Sequence, residues 1–184
     1  MAYKNLFFLI GFLWFIGTVQ GQQSATYTND LVDYQKALTL YNNKQYQAAQ
    51  TMFDKVREST DNEQMEADCD YYYANCAVRL NQINADALIE DFVQKHPTST
   101  KRNSAFLDVA DYYFDHGKYA YARKWYDKVD EGSISRAERD RYSFNYGYSL
   151  YSTKDQAESQ KYFNRVVNSP EYGAQAKYYI GFMA

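Results

Sequence analysis

Between Phe106 and Val129 the apolar residues recur at the spacing of two helical faces. Phe106, Val109, Ala110 and Tyr113 stand at i, i+3, i+4 and i+7, and Tyr119, Ala122, Tyr126 and Val129 form a second stripe. His116-Gly117-Lys118 interrupts the period, and glycine accepts the left-handed backbone that closes a helix. The pattern predicts two amphipathic helices joined by a tight turn. Large residues alternate with alanine, so the helices can approach closely while rings fill the gaps.

The same pattern recurs along the chain. Tyr46, Ala49, Phe53 and Val56 repeat the second stripe 73 residues earlier, which predicts a pair over 30–63 whose first helix carries Val32, Ala37, Leu40 and Tyr41. A weaker pair is expected over 66–98, with Ala87 or Leu88 at the small position, Phe92 at the aromatic one and a turn at 81–84 one residue short. The clearest pair spans 103–134. Another spans 136–170, its first helix over 136–151 carrying Tyr146-Gly147, its turn using Lys154, and its second helix carrying Ser159, Phe163 and Val166. Residues 174–184, with Ile180-Gly181, open a fifth unit that is incomplete.

This arrangement resembles the tetratricopeptide repeat (TPR), a helix-turn-helix unit of about 34 residues. Phe106 stands for its Trp, Val109-Ala110 for Leu-Gly, Tyr113 for the first Tyr, and Gly117-Lys118-Tyr119 for the turn, with Ala122 and Tyr126 on the second helix; Ile134 replaces the closing Pro. The resemblance implies an all-α fold, a right-handed α-α superhelix of about four helix pairs plus the start of a fifth. It implies a concave groove, lined by first helices, that binds other proteins or peptide segments. The groove positions carried over are Tyr34, Leu38 and Tyr41; Tyr73 and Ala77; Leu107, Asp111 and Phe114; Phe144, Tyr148 and Tyr151; with Tyr178 and Phe182 extending the row. A solenoid covers its last repeat with a polar cap. Met183-Ala184 offers none, so the chain is expected to be an N-terminal fragment with further repeats beyond Ala184, the alternative being a partner that covers its end.

The N-terminus adds a location. Lys4, an apolar run from Leu6 to Val19 and then Gln20-Gly21 describe a secretory signal peptide over 1–21. The run is shorter than the roughly 20 residues of a membrane-spanning helix, so no integral membrane segment is expected after cleavage. No cysteine follows the cut site, which argues against a lipoprotein and for an exported bacterial protein, periplasmic or associated with the outer membrane. Residues 22–29 are polar and without period, and are expected to be a flexible mature N-terminus.

Composition changes the picture at three points. The chain has 21 Tyr and 11 Phe, amphipathic rings that suit a thin helical stack in which few residues are fully dry. Its net charge of −3 comes without a basic run, which removes the electrostatic footprint of nucleic-acid binding. Cys69 and Cys76 are seven residues apart in a helical segment, roughly 10 Å by helix rise. That is too far for a disulfide, and core packing is expected.

Candidate chemistry is thin. His96 and His116 each precede a helix break with no ligand partner at metal spacing. Asp111 and Asp115 stand at i, i+4 and read as a solvated helix exterior. No phosphate loop, nucleophile elbow or zinc-binding helix is present, so no catalytic residue, metal or cofactor is expected. The function that follows is a non-catalytic interaction scaffold of the bacterial cell envelope. Two other readings stand beside it: an N-terminal regulatory module of a longer protein whose catalytic or membrane part follows Ala184, and a carbohydrate-capturing envelope protein that stacks sugars on its rings.

Overall fold

A computed structural model describes the backbone of residues 19–183 and the side chains from residue 29 onward; most of the expected leader lies outside the described residues. Among the described residues there are nine α-helices: α1 Val19–Asn42, α2 Tyr46–Ser59, α3 Glu63–Arg79, α4 Ala85–Lys95, α5 Arg102–Asp115, α6 Tyr119–Tyr126, α7 Arg139–Ser152, α8 Gln156–Arg165 and α9 Gly173–Met183. The stretch from Gln22 to Asn29, expected to be flexible, is part of α1. It contains neither Pro nor Gly, so nothing in it stops a helix from propagating. The fourth first helix begins at Arg139 rather than at residue 136, because residues 136–138 form a turn. The chain divides into unit 1, Met1–Tyr73, and unit 2, Ala74–Ala184.

Each of the first four odd-numbered helices is closed by a residue with left-handed backbone: Lys44 (φ 60°), Asn81 (φ 53°), Gly117 (φ 68°) and Lys154 (φ 67°). In each case the left-handed residue donates its N–H to the carbonyl three residues back, and the next residue donates to the carbonyl five back. These two bonds form the Schellman closure, which satisfies carbonyls that the helix end leaves unpaired. Only one of the four sites uses glycine. The repeat is therefore carried by backbone geometry where the residue type hides it.

The closures fix a common register. Ala49, Ala85, Ala122 and Ser159 hold the small position of the second helices, followed by Phe53, Ile89, Tyr126 and Phe163, then Val56, Phe92, Val129 and Val166; all are buried. Only four residues separate Asn81 from Ala85 where the other pairs have five, so the second turn is one residue short, as the spacing predicts. The residues expected there need correcting. Ala87 is exposed and Leu88 half-buried, and Ala85 is the small residue. Phe92 occupies the valine position, because the aromatic position is held by Ile89. On the first helices the matching small residues are Ala37, Ala74, Ala110 and Gly147, all buried. At α7 and α8 the reason is visible: a Cβ on Gly147 would stand 3.1 Å from Tyr162 Cβ. Ser159 replaces alanine at no cost because its buried hydroxyl donates to the Gly147 carbonyl at 2.8 Å.

Unit 1 packs α2 on α1. Phe53 is fully buried, stacked on Tyr72 at 5.0 Å and edge-on to Tyr34 at 6.1 Å. Asn62 caps α3 by accepting from the Met65 N–H at 2.9 Å. In unit 2, α5 packs on α6, α6 on α7, α7 on α8 and α8 on α9. Tyrosines join the helices by donating to carboxylates. Tyr113 donates to Asp86 at 2.8 Å, Tyr162 to Glu131 at 2.5 Å, and Tyr146 to Asp127. Cys69 and Cys76 are buried free thiols, and burial pushes each up to about 12, which keeps them unreactive.

Asp111, expected on a solvated exterior, is instead largely buried, its side chain 14% exposed. It accepts from Tyr126 at 2.5 Å and Asn145 at 3.2 Å, and pairs with Arg141 at 2.9 Å. The packing of α7 on α5 lays Asn145 and Arg141 over a position that helix periodicity alone leaves wet. Burial pushes the Asp111 carboxyl above the usual carboxylate range, and it outweighs the lowering pull of Tyr126, Arg141 and Asn145.

Two stability predictions follow from these contacts. Gly117→Ala forces a Cβ into left-handed backbone and should cost about 1 kcal/mol in a urea melt, whereas Lys154→Gly should gain roughly 0.5 kcal/mol, glycine's greater unfolded-state entropy offsetting part of the relief. Equal midpoints for all three chains would mean the closures do not form. The raised Asp111 carboxyl contributes stability that is present below its unfolded pKa and lost as pH rises through its folded one. The melting temperature of the native chain should therefore gain on that of Asp111→Asn as pH falls from 7 to 4; a gap that is constant across this range would mean Asp111 is not buried.

Candidate functional site

The first helices of unit 2 carry a continuous band of rings. Tyr148, on α7, is its hub. Its ring lies 5.8 Å from Phe114 on α5, 4.8 Å from Tyr119 at the start of α6, and 5.1 Å from Tyr179 on α9. Most of these contacts are edge-to-face, with interplanar angles of 70–82°, the arrangement the ring quadrupole prefers. Beneath the band sits a dry cluster of Phe144, Phe163, Val166 and Ala176, so the rings rest on a rigid floor.

Between α5, α7 and α9 the band opens into a cleft of ≈ 390 Å³. Phe114, Tyr119, Phe144 and Tyr148 line one side; Ala174, Gln175, Tyr178 and Tyr179 line the other. No Asp, Glu, Lys or Arg contributes to the lining. Tyr178 is 64% exposed and Phe182, one turn further along α9 and stacked on it at 6.3 Å, is 69% exposed. Burial and the neighbouring Tyr148 hydroxyl raise the phenols of Tyr119 and Tyr179, the latter up to about 12.

Of the residues assigned to a groove by resemblance, Phe114, Phe144, Tyr148 and Tyr178 come together here, with Phe144 as buried floor. Tyr151 and Phe182 adjoin it, Tyr151 lying 5.2 Å from Tyr179 and 6.5 Å from Phe182. Leu107 does not take part: at 5% exposure it is core. In unit 1, Tyr34 packs on Phe53 and donates to Asp68 at 3.2 Å. Tyr41 lies between Tyr46 and Tyr72, at 5.6 and 5.0 Å. Both serve helix packing, and Leu38 is half-buried. Tyr73 lies beneath the Arg57 guanidinium at 4.1 Å. The closure at Asn81 moves the groove register of that repeat to Tyr71, Asn75 and Val78, all buried, so Tyr73 and Ala77 each stand two positions past it.

Sequence reasoning missed Tyr119, Ala174, Gln175 and Tyr179 as lining. A signal for Tyr119 exists. It stands two residues past a left-handed residue and packs on Phe114 at 5.5 Å, as Tyr46 packs on Tyr41. Ring-bearing positions just after the turn thus face the end of the first helix.

Two further clefts in unit 2 carry charged residues and lie at loops: one at Asn103, Lys128 and Asp130, the other at Glu131, Arg139 and Arg165. Their charged groups are largely committed to the fold, the Asp130 carboxylate accepting from the Gly132 N–H at 3.0 Å and the Ser133 hydroxyl at 2.6 Å, and Glu131 taking Arg165 at 2.7 Å. Among the described residues no group of three His, Cys, Asp or Glu side chains is placed to hold a metal ion. No helix among them is long and apolar enough to cross a membrane.

No protein-family model matches this chain, and no curated protein matches it in sequence. In fold it is similar to MamA of AMB-1, a TPR-containing protein, with a TM-score of 0.62 and 16% identity over 85% of this chain and 81% of that one. Two structures of a MamA mutant align with TM-scores of 0.60 and 0.61, also at 16% identity, over 85% and 84% of this chain and 86% and 80% of theirs. The fold is therefore all-α and TPR-like, its helices packed in sequential pairs as in MamA.

Proposed function

We propose that this chain is a non-catalytic protein-interaction scaffold of the bacterial cell envelope, docking partner segments on the ring-lined face of α5, α7 and α9. The observation that carries the reading is the open cleft on the first helices, with Tyr178 and Phe182 exposed beside it. Scattered exposed apolar residues need no explanation, but contiguous exposed rings on a rigid floor are the usual mark of a binding surface. Rings of this kind bury large area at low entropic cost, which makes them frequent anchors of interfaces. The TPR-like fold supports protein partners. The envelope location rests on the leader-like sequence of residues 1–21.

Crosslinking and mass spectrometry of the full chain in its native envelope tests both parts. Crosslinked partners should be recovered with the native chain and lost, by tenfold or more, with the double variant Tyr178→Ala, Phe182→Ala, whose helical content should be unchanged because both rings are largely exposed. Unaltered recovery would sink the docking surface. Recovery of the chain from the cytoplasmic fraction with residues 1–21 intact would sink the envelope assignment.

A further inference from the structure

The chemistry of the cleft narrows its occupant. Without a charged side chain in the lining, a carboxylate or an ammonium entering it would lose hydration and find no counter-charge. The site offers ring faces, from Phe114, Tyr148 and Tyr178, and few donors: Tyr119 and Tyr179 each hydrogen-bond with Tyr148, which leaves one phenol hydrogen of the three beside the Gln175 amide. A matching segment is uncharged, presents flat apolar surfaces, and has backbone carbonyls free to accept hydrogen bonds. A polyproline II helix has all three properties. It has no internal hydrogen bonds, so its carbonyls are available, and it rises about 3.1 Å per residue with three residues per turn. Its conformation is set before binding, so little entropy remains to be lost, and aromatic-lined grooves are the usual receptors for it.

We propose that the cleft between α5, α7 and α9 takes a proline-rich segment of another protein, its rings against Tyr148 and Tyr178 and its carbonyls accepting from the phenol hydrogen that the Tyr119–Tyr148–Tyr179 chain leaves over and from the Gln175 amide. The inference rests on the scaffold reading and names its partner class. Residues 1–184 contain no such segment, their two prolines, Pro97 and Pro170, standing 73 residues apart. A neutral sugar would share the ring stacking, but it calls for a denser set of polar side chains than Gln175 and three phenols.

The test is a fluorescence anisotropy titration of the full chain with a fluorescein-labelled decaproline peptide. Saturable binding is expected, weakened at least tenfold by Tyr178→Ala and by Ala174→Arg, which puts a charge into the neutral cleft. Tyr121→Ala should leave it unchanged, since that exposed ring lies outside the cleft. A Gly-Ser peptide of equal length should not saturate. Circular dichroism of each variant should match the native chain. Absence of saturable decaproline binding, equal binding of the Gly-Ser peptide, full binding by both cleft variants, or saturation by maltoheptaose in place of decaproline would overturn the inference. If decaproline fails while the Tyr178→Ala, Phe182→Ala variant still loses its crosslinked partners, this inference falls and the scaffold reading stands; if those crosslinks persist as well, both fall.

Discussion

A first helix that is to be followed at once by an antiparallel neighbour has to end within one residue, and its last carbonyls have to be satisfied as it does so. Lys44, Asn81, Gly117 and Lys154 meet that constraint by entering left-handed backbone, a conformation that costs a residue with a Cβ roughly 1–2 kcal/mol. Three of the four accept the cost. What offsets it is the crossing that follows, because the closure delivers the small residue of the second helix onto the small residue of the first. Where Gly147 and Ser159 meet, the contact is a hydrogen bond at 2.8 Å, and the second helix can then bury Phe163 and Val166 completely. Had the chain left α7 one residue later, the stripe would have rotated by about 100° and those two side chains would face water.

Tyrosine follows from the same thin construction. A stack of helix pairs places many rings half inside, where phenylalanine would leave a wet edge and a carboxylate on the next helix would lack a donor. Tyrosine meets both demands, as between Tyr113 and Asp86 or Tyr162 and Glu131. Cations on the second helices add to these links: Lys124 reaches Asp86 and Lys128 reaches Glu90. Those pairs are exposed and each contributes little, but they favour one register over its neighbours.

The fold was legible because period and turn spacing survive where signature residues do not. Gly117 marked its own turn; Lys44, Asn81 and Lys154 did not, and only the spacing around them pointed to a closure. The second repeat was misread by three residues because Ile89 is not aromatic, so Phe92 looked like the position it follows. The site was legible in part. Phe114, Tyr148 and Tyr178 share helical faces that sequence can assign, whereas Leu107 shares such a face and is nonetheless buried. Asp111 failed for a related reason: a carboxylate on a helix exterior is wet by default, and only the neighbouring helix brings Arg141 and Asn145 over it. Sequence periodicity says which side of a helix a residue is on. It does not say whether another helix covers that side.

The distinction that matters for function lies among the tyrosines themselves. Tyr34, Tyr113, Tyr126, Tyr146 and Tyr162 each donate to a carboxylate of the fold. That pairing uses the hydroxyl and fixes the ring, so these residues hold helices together. Tyr119, Tyr148 and Tyr179 lie instead among one another and phenylalanines, and Tyr178 turns one face to solvent. Tyr119 and Tyr179 each hydrogen-bond with Tyr148, which uses two of the three phenol hydrogens, and with no carboxylate in the lining the third is left over. The acceptor that uses it has to come from outside, and a neutral carbonyl satisfies it without bringing a charge into a site that has no means of balancing one.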